Sequence, residues 1–159
     1  MKSVEQATFA AGCFWGVESV FMEVPGVLST AVGYTGGDDS FTSYKEVCSG
    51  TTGHAEAVQL SYDPSQVSYK ELLSIFFDCH DPTQLNRQGP DFGTQYRSAI
   101  FVHNSSQRQL AQETIVYLNQ SANYQQAVVT TVEDAVKFNR AEEYHQQYNL
   151  KNGKSCQEK

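Results

Sequence analysis

The chain has 159 residues, 40 % of them hydrophobic, with nine Phe and nine Tyr, which suits one compact domain with a sizeable core. Acidic residues outnumber basic ones, 18 to 11, and the basic ones are scattered, so a nucleic-acid groove or an anionic membrane surface is excluded as the main partner. No apolar run approaches the roughly 20 residues needed to span a bilayer, and there is no repeat, heptad run or low-complexity stretch.

In chain order, Val4 to Ala11 predicts a short strand that runs into Gly12. Cys13 to Glu23 predicts a helix, with Phe14, Val17, Val20 and Phe21 at helical spacing. Pro25-Gly26 marks a turn, Val27 to Tyr34 a second strand, and Gly33, Gly36 and Gly37 with Asp38 and Asp39 a loop. His54 to Tyr62 reads as a third strand closed by Asp63-Pro64. Ser68 and Glu71 form a capping box for a helix reaching about Asp78, and Pro82 forbids its continuation. Thr83 to Gly93 is a long loop, of the kind that often carries function. Gln95 to Val102 predicts a fourth strand. A helix capped by Ser105 or Ser106 follows, ending near Asn119, and then a fifth strand, Ala127 to Val132. Asn139 with Glu142 suggests a second capping box for a short helix ending near Asn149. Residues 150–159 have no apolar period and read as an irregular tail. This succession predicts a single α+β domain over residues 1–159, built on one mixed sheet with flanking helices.

Four cysteines, Cys13, Cys48, Cys79 and Cys156, lie far apart with no Cys-x-x-Cys and no zinc-finger spacing, so neither a metal nor an organic cofactor is indicated. Phe9 to Cys13 is a little like a lipoprotein cleavage box, but Glu5 and Gln6 precede it and the apolar segment is too short for a signal peptide. A cytoplasmic chain with thiols at rest is therefore expected.

Gly12-Cys13-Phe14-Trp15-Gly16 is the most informative stretch. Gly12 permits a tight strand-to-helix turn, which puts Cys13 in the first helical turn, where unpaired N–H groups and the helix dipole favour a thiolate. Glu18 could oppose this, but five residues on it falls on another helix face. The plainer alternative is a buried structural cysteine after a strand.

Along the third strand, Val58, Leu60 and Tyr62 share a face by period two with His54 and Glu56. A carboxyl on an apolar face favours its protonated form, which is what a general acid needs. The alternative is that Glu56 lies at the strand end in water. His54 is read as a structural hydrogen-bonder. Tyr34 and Tyr96 stand at strand ends beside loops, where site residues often sit, and Asp91 belongs to the long loop; taken alone, each Tyr is ordinary core.

Cys13, Tyr34, Glu56 and Tyr96 belong to motifs that are among six which, in order, resemble the methionine sulfoxide reductase A family. They are Gly12 to Gly16; Val32-Gly33-Tyr34; Gly53 to Val58; His80-Asp81-Pro82-Thr83; Gly93 to Ile100; and Ala141-Glu142-Glu143-Tyr144-His145-Gln146-Gln147-Tyr148. The resemblance covers nearly the whole chain. It implies a ferredoxin-like α+β fold and reduction of the S epimer at sulfur, with Cys13 as nucleophile. It also implies Phe14 and Trp15 as walls for the substrate methyl, Glu56, Tyr34 and Tyr96 as the groups that bind and protonate the sulfoxide oxygen, and Asp91 as a helping carboxylate.

On that basis Cys13 becomes a sulfenic acid, a second thiol condenses with it to a disulfide, and thioredoxin reduces the disulfide. Cys156 is the best resolving thiol: it follows Asn152-Gly153 in the tail, and ten extended residues span up to about 33 Å. Cys48, by the third strand, and Cys79, closing a helix, are expected to be buried. The sequence departs from many relatives in having no longer glycine-rich tail with a further cysteine, in Pro90, and in Asn139-Arg140, so a two-step thiol relay is not expected. The implied partners are methionine-S-sulfoxide, protein-bound or free, and thioredoxin, with a monomer expected. A thiol hydrolase or acyltransferase using Cys13 with a His, and a module that binds oxidised or Met-rich peptides without turnover, are the competing readings.

Overall fold

A computed structural model describes residues 4–38, 40, 43–50, 52–121 and 124–148. In chain order the elements are β1 (Glu5–Ala11), α1 (Phe14–Met22), β2 (Val27–Thr35), α2 (Tyr44–Cys48), β3 (Ala55–Tyr62), α3 (Tyr69–Asp78), β4 (Arg87–Gln88), β5 (Asp91–Phe92), a 3-10 turn (Thr94–Tyr96) and β6 (Ser98–Val102). Then come α4 (Ser105–Gln120), β7 (Thr131–Asp134), β8 (Asn139–Arg140) and a second 3-10 turn (Glu143–His145). The resolving-cysteine assignment, on Cys156 in the tail, lies outside the described residues.

Six strands form one sheet in the order β7-β6-β1-β3-β2-β8. All neighbours are antiparallel except β6 and β7, so the sheet is mixed, as expected of an α+β domain. Helices α1, α3 and α4 each connect two co-directional strands, because β1 and β2 share β3 as an antiparallel neighbour, β3 and β6 share β1, and β6 runs parallel to β7. Alternation then makes the core: Ala7, Phe9 and Ala11, Val58, Leu60 and Tyr62, and Ile100 and Val102 face Phe21, Leu72, Leu73 and Phe76 from the helices. Phe9 is its centre, stacked at 5.2 Å on Phe21 and 5.1 Å on Phe76. The opposite face carries a smaller cluster, Ala10, Ala55, Ala57, Ala99 and Phe101. No described helix is long and apolar enough to cross a membrane.

Several boundaries differ from the sequence expectation, each for a local reason. The α3 capping box is present, with Ser68 and Glu71 exchanging hydrogen bonds. Ser43 and Glu46 form the same device and start α2, which the expected elements omitted. Asn104, rather than Ser105 or Ser106, caps α4 by accepting from the Gln107 N–H. The expected fourth strand starts late, because 94–96 coil into a 3-10 turn whose Gly93 carbonyl accepts the Tyr96 N–H. The fifth strand lies later too, at Thr131–Asp134. Among the described residues the expected helix does not start at Asn139: Asn139–Arg140 pair with Gly33 and Tyr34 of β2, and Asn139 Nδ2 donates to the Tyr34 carbonyl instead of capping. Glu142 likewise turns away from a capping role, accepting from Tyr34 and from the Tyr44 N–H.

Candidate active site

The β1-to-α1 turn positions the thiol. Gly12 takes φ +95, which L side chains rarely adopt, and a Cβ there would press to 2.8 Å on Gln88 of β4. Cys13 is then the N-cap of α1, one position before the helix expected to contain it. Its side chain does not serve as the cap, and no acidic residue lies in the first turn. The half-buried thiol sits where the dipole's positive end favours an anion. Glu18, which could have opposed this, is buried against β2 and β8's sequel, accepting from the Thr30 hydroxyl at 2.8 Å and the Gln147 N–H at 2.7 Å.

Glu56 is only 1 % exposed, so the strand-end-in-water alternative is ruled out. Its Oε1 accepts the N–H of Phe14 at 3.2 Å, which fixes the carboxyl beside the residue that follows the thiol. That bond also satisfies one of the orphan donors at the start of α1. His54, one turn of the pleat away, is structural as expected: its Nδ1 accepts the Gly37 N–H and its Nε2 donates to the Asp38 carbonyl.

The tyrosines divide. Tyr96 lies on the 3-10 turn, and its pKa is pushed far up by burial and then by Glu56, Cys48, Asp91 and Cys13. Those neighbours put its hydroxyl among the thiol and the carboxyls. Asp91, half-buried on β5, has its carboxyl pushed up by burial. Tyr34 stands directly across from Glu56 in the β2–β3 register but is wholly buried, and its hydroxyl donates to Glu142 at 3.3 Å. Burial, Glu142 and Glu56, in that order, push its pKa far up.

Five residues to which the sequence reasoning gave no role in the site join this place. Tyr44, on α2, has its pKa raised by burial and then by Glu56, and its hydroxyl is hydrogen-bonded to Cys48. Cys48 is half-buried rather than buried, bonded to both Tyr44 and Tyr96 hydroxyls, and its thiol is pushed up by burial. Cys79, also half-buried, is elsewhere: its Sγ donates to the Phe76 carbonyl at the end of α3. Glu142, His145 and Tyr148 arrive from the C-terminal segment. Tyr148 stacks on Trp15 with centroids 3.8 Å apart, and His145 lies against Tyr44 at 4.4 Å and Phe14 at 5.3 Å. The available signals were the Ser43-x-x-Glu46 capping box, which announces the turn that carries Tyr44 and Cys48, and the motif from Ala141 to Tyr148, which holds the other three.

Phe14 and Trp15 thus form part of an aromatic surround, with Tyr44 at 6.4 and 6.3 Å from them. Among the described residues no group of three or more His, Cys, Asp or Glu side chains is arranged to hold a metal ion. A thiol at a helix start, a buried acid one residue away and tyrosine hydroxyls under an aromatic wall define a thiol-dependent enzyme.

Comparison with known proteins gives the particular family. The family model described as peptide methionine sulfoxide reductase matches residues 5–159. Peptide methionine sulfoxide reductase MsrA of Methanoculleus marisnigri is 57 % identical over 152 residues, covering 96 % of this chain and 93 % of that protein. Mxr1 from Saccharomyces cerevisiae in its reduced form superposes with a TM-score of 0.87 at 38 % identity, over 96 % of this chain and 87 % of that one. Mxr1 in complex with Trx2 matches with a TM-score of 0.62 at 28 % identity, over 91 % and 84 % of the two chains. The chain belongs to the peptide methionine sulfoxide reductase family.

Proposed function

We propose that this protein reduces methionine-S-sulfoxide, in proteins and as the free amino acid, to methionine. The observation that carries the reading is the anchoring of buried Glu56 on the Phe14 N–H, which sets an acid beside the Cys13 thiol. A sulfoxide sulfur is a poor electrophile until its oxygen is protonated. Glu56, kept from water, supplies that proton, while Tyr96 and Tyr44 hydrogen-bond the oxygen and Phe14 and Trp15 hold the methyl. Tyr34 and Asp91 support the arrangement, Tyr34 through Glu142 and Asp91 beside Tyr96.

The Cys13 thiolate attacks sulfur, the sulfur–oxygen bond passes its oxygen to Cys13 as a sulfenic acid, and methionine leaves. Condensation with the Cys156 thiol forms a disulfide and releases water. Thioredoxin then reduces the disulfide, a step supported by the relative solved with Trx2. A monomer working in the cytoplasm on oxidatively damaged proteins completes the proposal.

The test is consumption of resolved S and R methionine sulfoxides with dithiothreitol, by wild type and Cys13→Ser. Turnover of the S form alone, lost in the variant, is expected. Turnover of both forms, or of neither by folded protein, overturns the reading. Thioredoxin-driven multiple turnover persisting in Cys156→Ser removes that residue as the resolving thiol.

A further inference from the structure

Tyr44 hydrogen-bonds the sulfoxide oxygen in the reaction proposed above, yet the element that carries it cannot hold itself in place. Helix α2 has five residues, far fewer than the roughly 12–15 that an isolated helix needs in water. Its exposed Ser43–Glu46 capping box is local and fixes no position relative to the sheet. Two side chains from elsewhere in the chain grip it. Gln95 Nε2 donates to the carbonyl of Cys48, its last residue, at 3.4 Å. Glu142 Oε2 accepts the N–H of Tyr44, its first residue, at 3.1 Å.

Glu142 can serve as an anchor because its own backbone is fixed to the sheet. Asn139 and Arg140 pair with Tyr34 and Gly33, the Ala141 N–H donates to the Val32 carbonyl at 2.9 Å, and the Glu142 carbonyl accepts the His145 N–H at 2.9 Å. The other carboxylate oxygen accepts the hydroxyl of the buried Tyr34 at 3.3 Å, which aims the side chain, while His145 Nε2 stands off at 3.9 Å. We propose that Glu142, held in aim by Tyr34, is the positioning residue of Tyr44. This rests on Tyr44 being a donor to the sulfoxide oxygen. Without Glu142 the first residue of α2 is free to swing about the Gln95 contact at its last, and the Tyr44 hydroxyl leaves the oxygen site with it.

A double-mutant cycle on kcat/KM for methionine-S-sulfoxide tests the coupling. Glu142→Ala and Tyr44→Phe are each expected to lower it about 5–10-fold, the worth of one buried neutral hydrogen bond. The double variant is expected to be no worse than either single one, where independent roles would multiply to about 25–100-fold. Glu142→Gln keeps an oxygen for the Tyr44 N–H and can turn its NH2 to the Tyr34 hydroxyl, so it is expected to stay within about twofold of wild type. Alkylation of Cys48 by iodoacetamide is a readout without turnover. The Tyr44 hydroxyl is bonded to that thiol, and burial is the leading cause that pushes the thiol up. Displacing Tyr44 uncovers it, so Glu142→Ala is expected to label Cys48 at least about threefold faster, with the Cys13 rate unchanged and Glu142→Gln like wild type. Multiplicative losses in the cycle, or a wild-type Cys48 rate in folded Glu142→Ala, overturn the proposal. Tyr44→Phe turning over as fast as wild type would instead remove Tyr44 from the sulfoxide reading; the Cys48 rate then still tests Glu142 as its anchor, so the two failures are distinct.

Discussion

Glu56→Gln separates proton delivery from every other role of this side chain. The amide has the same shape, and its carbonyl can accept the Phe14 N–H that Glu56 Oε1 now accepts at 3.2 Å, so the start of α1 should be preserved. What is lost is the acid. General acids contribute about 10²–10⁴ in rate, or about 2.7–5.5 kcal/mol. The neighbours argue for the upper half of that range: burial, the leading cause of the raised pKa of the Tyr96 and Tyr44 hydroxyls, persists in the variant, so they can hydrogen-bond the sulfoxide oxygen but are poor proton donors. The expected single-turnover rate of Cys13 sulfenic acid formation is therefore about 10³–10⁴ below wild type. Substrate affinity should stay within about threefold, because those hydrogen bonds survive. Trp15 emission under stopped flow follows the turnover, and thermal melting controls for folding. A loss smaller than about tenfold in folded Glu56→Gln would refute the assignment and leave another group to deliver the proton.

Other consequences concern the thiols and the frame. Cys48, pushed up by burial, has a smaller thiolate fraction than an ordinary thiol at any given pH. Mass mapping with iodoacetamide at pH 7 should find Cys13 labelled well before Cys48, and equal rates would contradict this order. Ser43→Ala removes the capping box of α2 and should cost about 1 kcal/mol in denaturant unfolding, with lowered kcat because Tyr44 is the first residue of that turn. Gly33→Ala should destabilise by about 2 kcal/mol or more, since a Cβ would come within 2.7 Å of Phe138 and closer still to the Asn139 carbonyl; unchanged melting would show that β8 can shift without cost. In the buried chain His80–Ser98–Thr130, His80 Nδ1 donates to the Phe76 carbonyl at 2.7 Å and Ser98 and Thr130 follow at 2.8 and 2.7 Å. His80→Leu removes one partner from Ser98, which keeps Thr130, and one from that carbonyl, which keeps Cys79, and should cost about 1–3 kcal/mol by chemical denaturation.

Much of the frame was legible because it is written locally. The period-two alternation of β3 puts Glu56 on the buried face, and Gly12 before Cys13 marks the turn that makes the thiol an N-cap. Ser68 with Glu71 announces α3, since the apolar residues that follow keep a helical period. Ser43 with Glu46 follows the same grammar, but α2 is only five residues long, too short for a period to show. Asn139 with Glu142 has the grammar but starts no helix among the described residues, because Tyr34 and Tyr44 compete for the capping groups from across the fold. The site residues left without a role were so for that reason: Tyr44, Cys48 and His145 meet Cys13's neighbours only through tertiary packing, which no spacing along the chain encodes.

The side chain of Gln146 behaves as a peptide group out of place. Its Oε1 accepts the Val32 N–H at 2.9 Å, while its Nε2 donates to the Val32 carbonyl at 3.0 Å and to the Ala141 carbonyl at 2.9 Å. Just beyond the two residues of β8, it occupies the donor that an incoming strand would otherwise find on β2 and shares the acceptor with the Ala141 N–H. An edge filled by one amide offers a foreign chain no register to extend. Gln146→Leu would bare the Val32 N–H, since the Ala141 N–H still holds the Val32 carbonyl at 2.9 Å, and its clearest symptom would be aggregation on storage rather than slow catalysis.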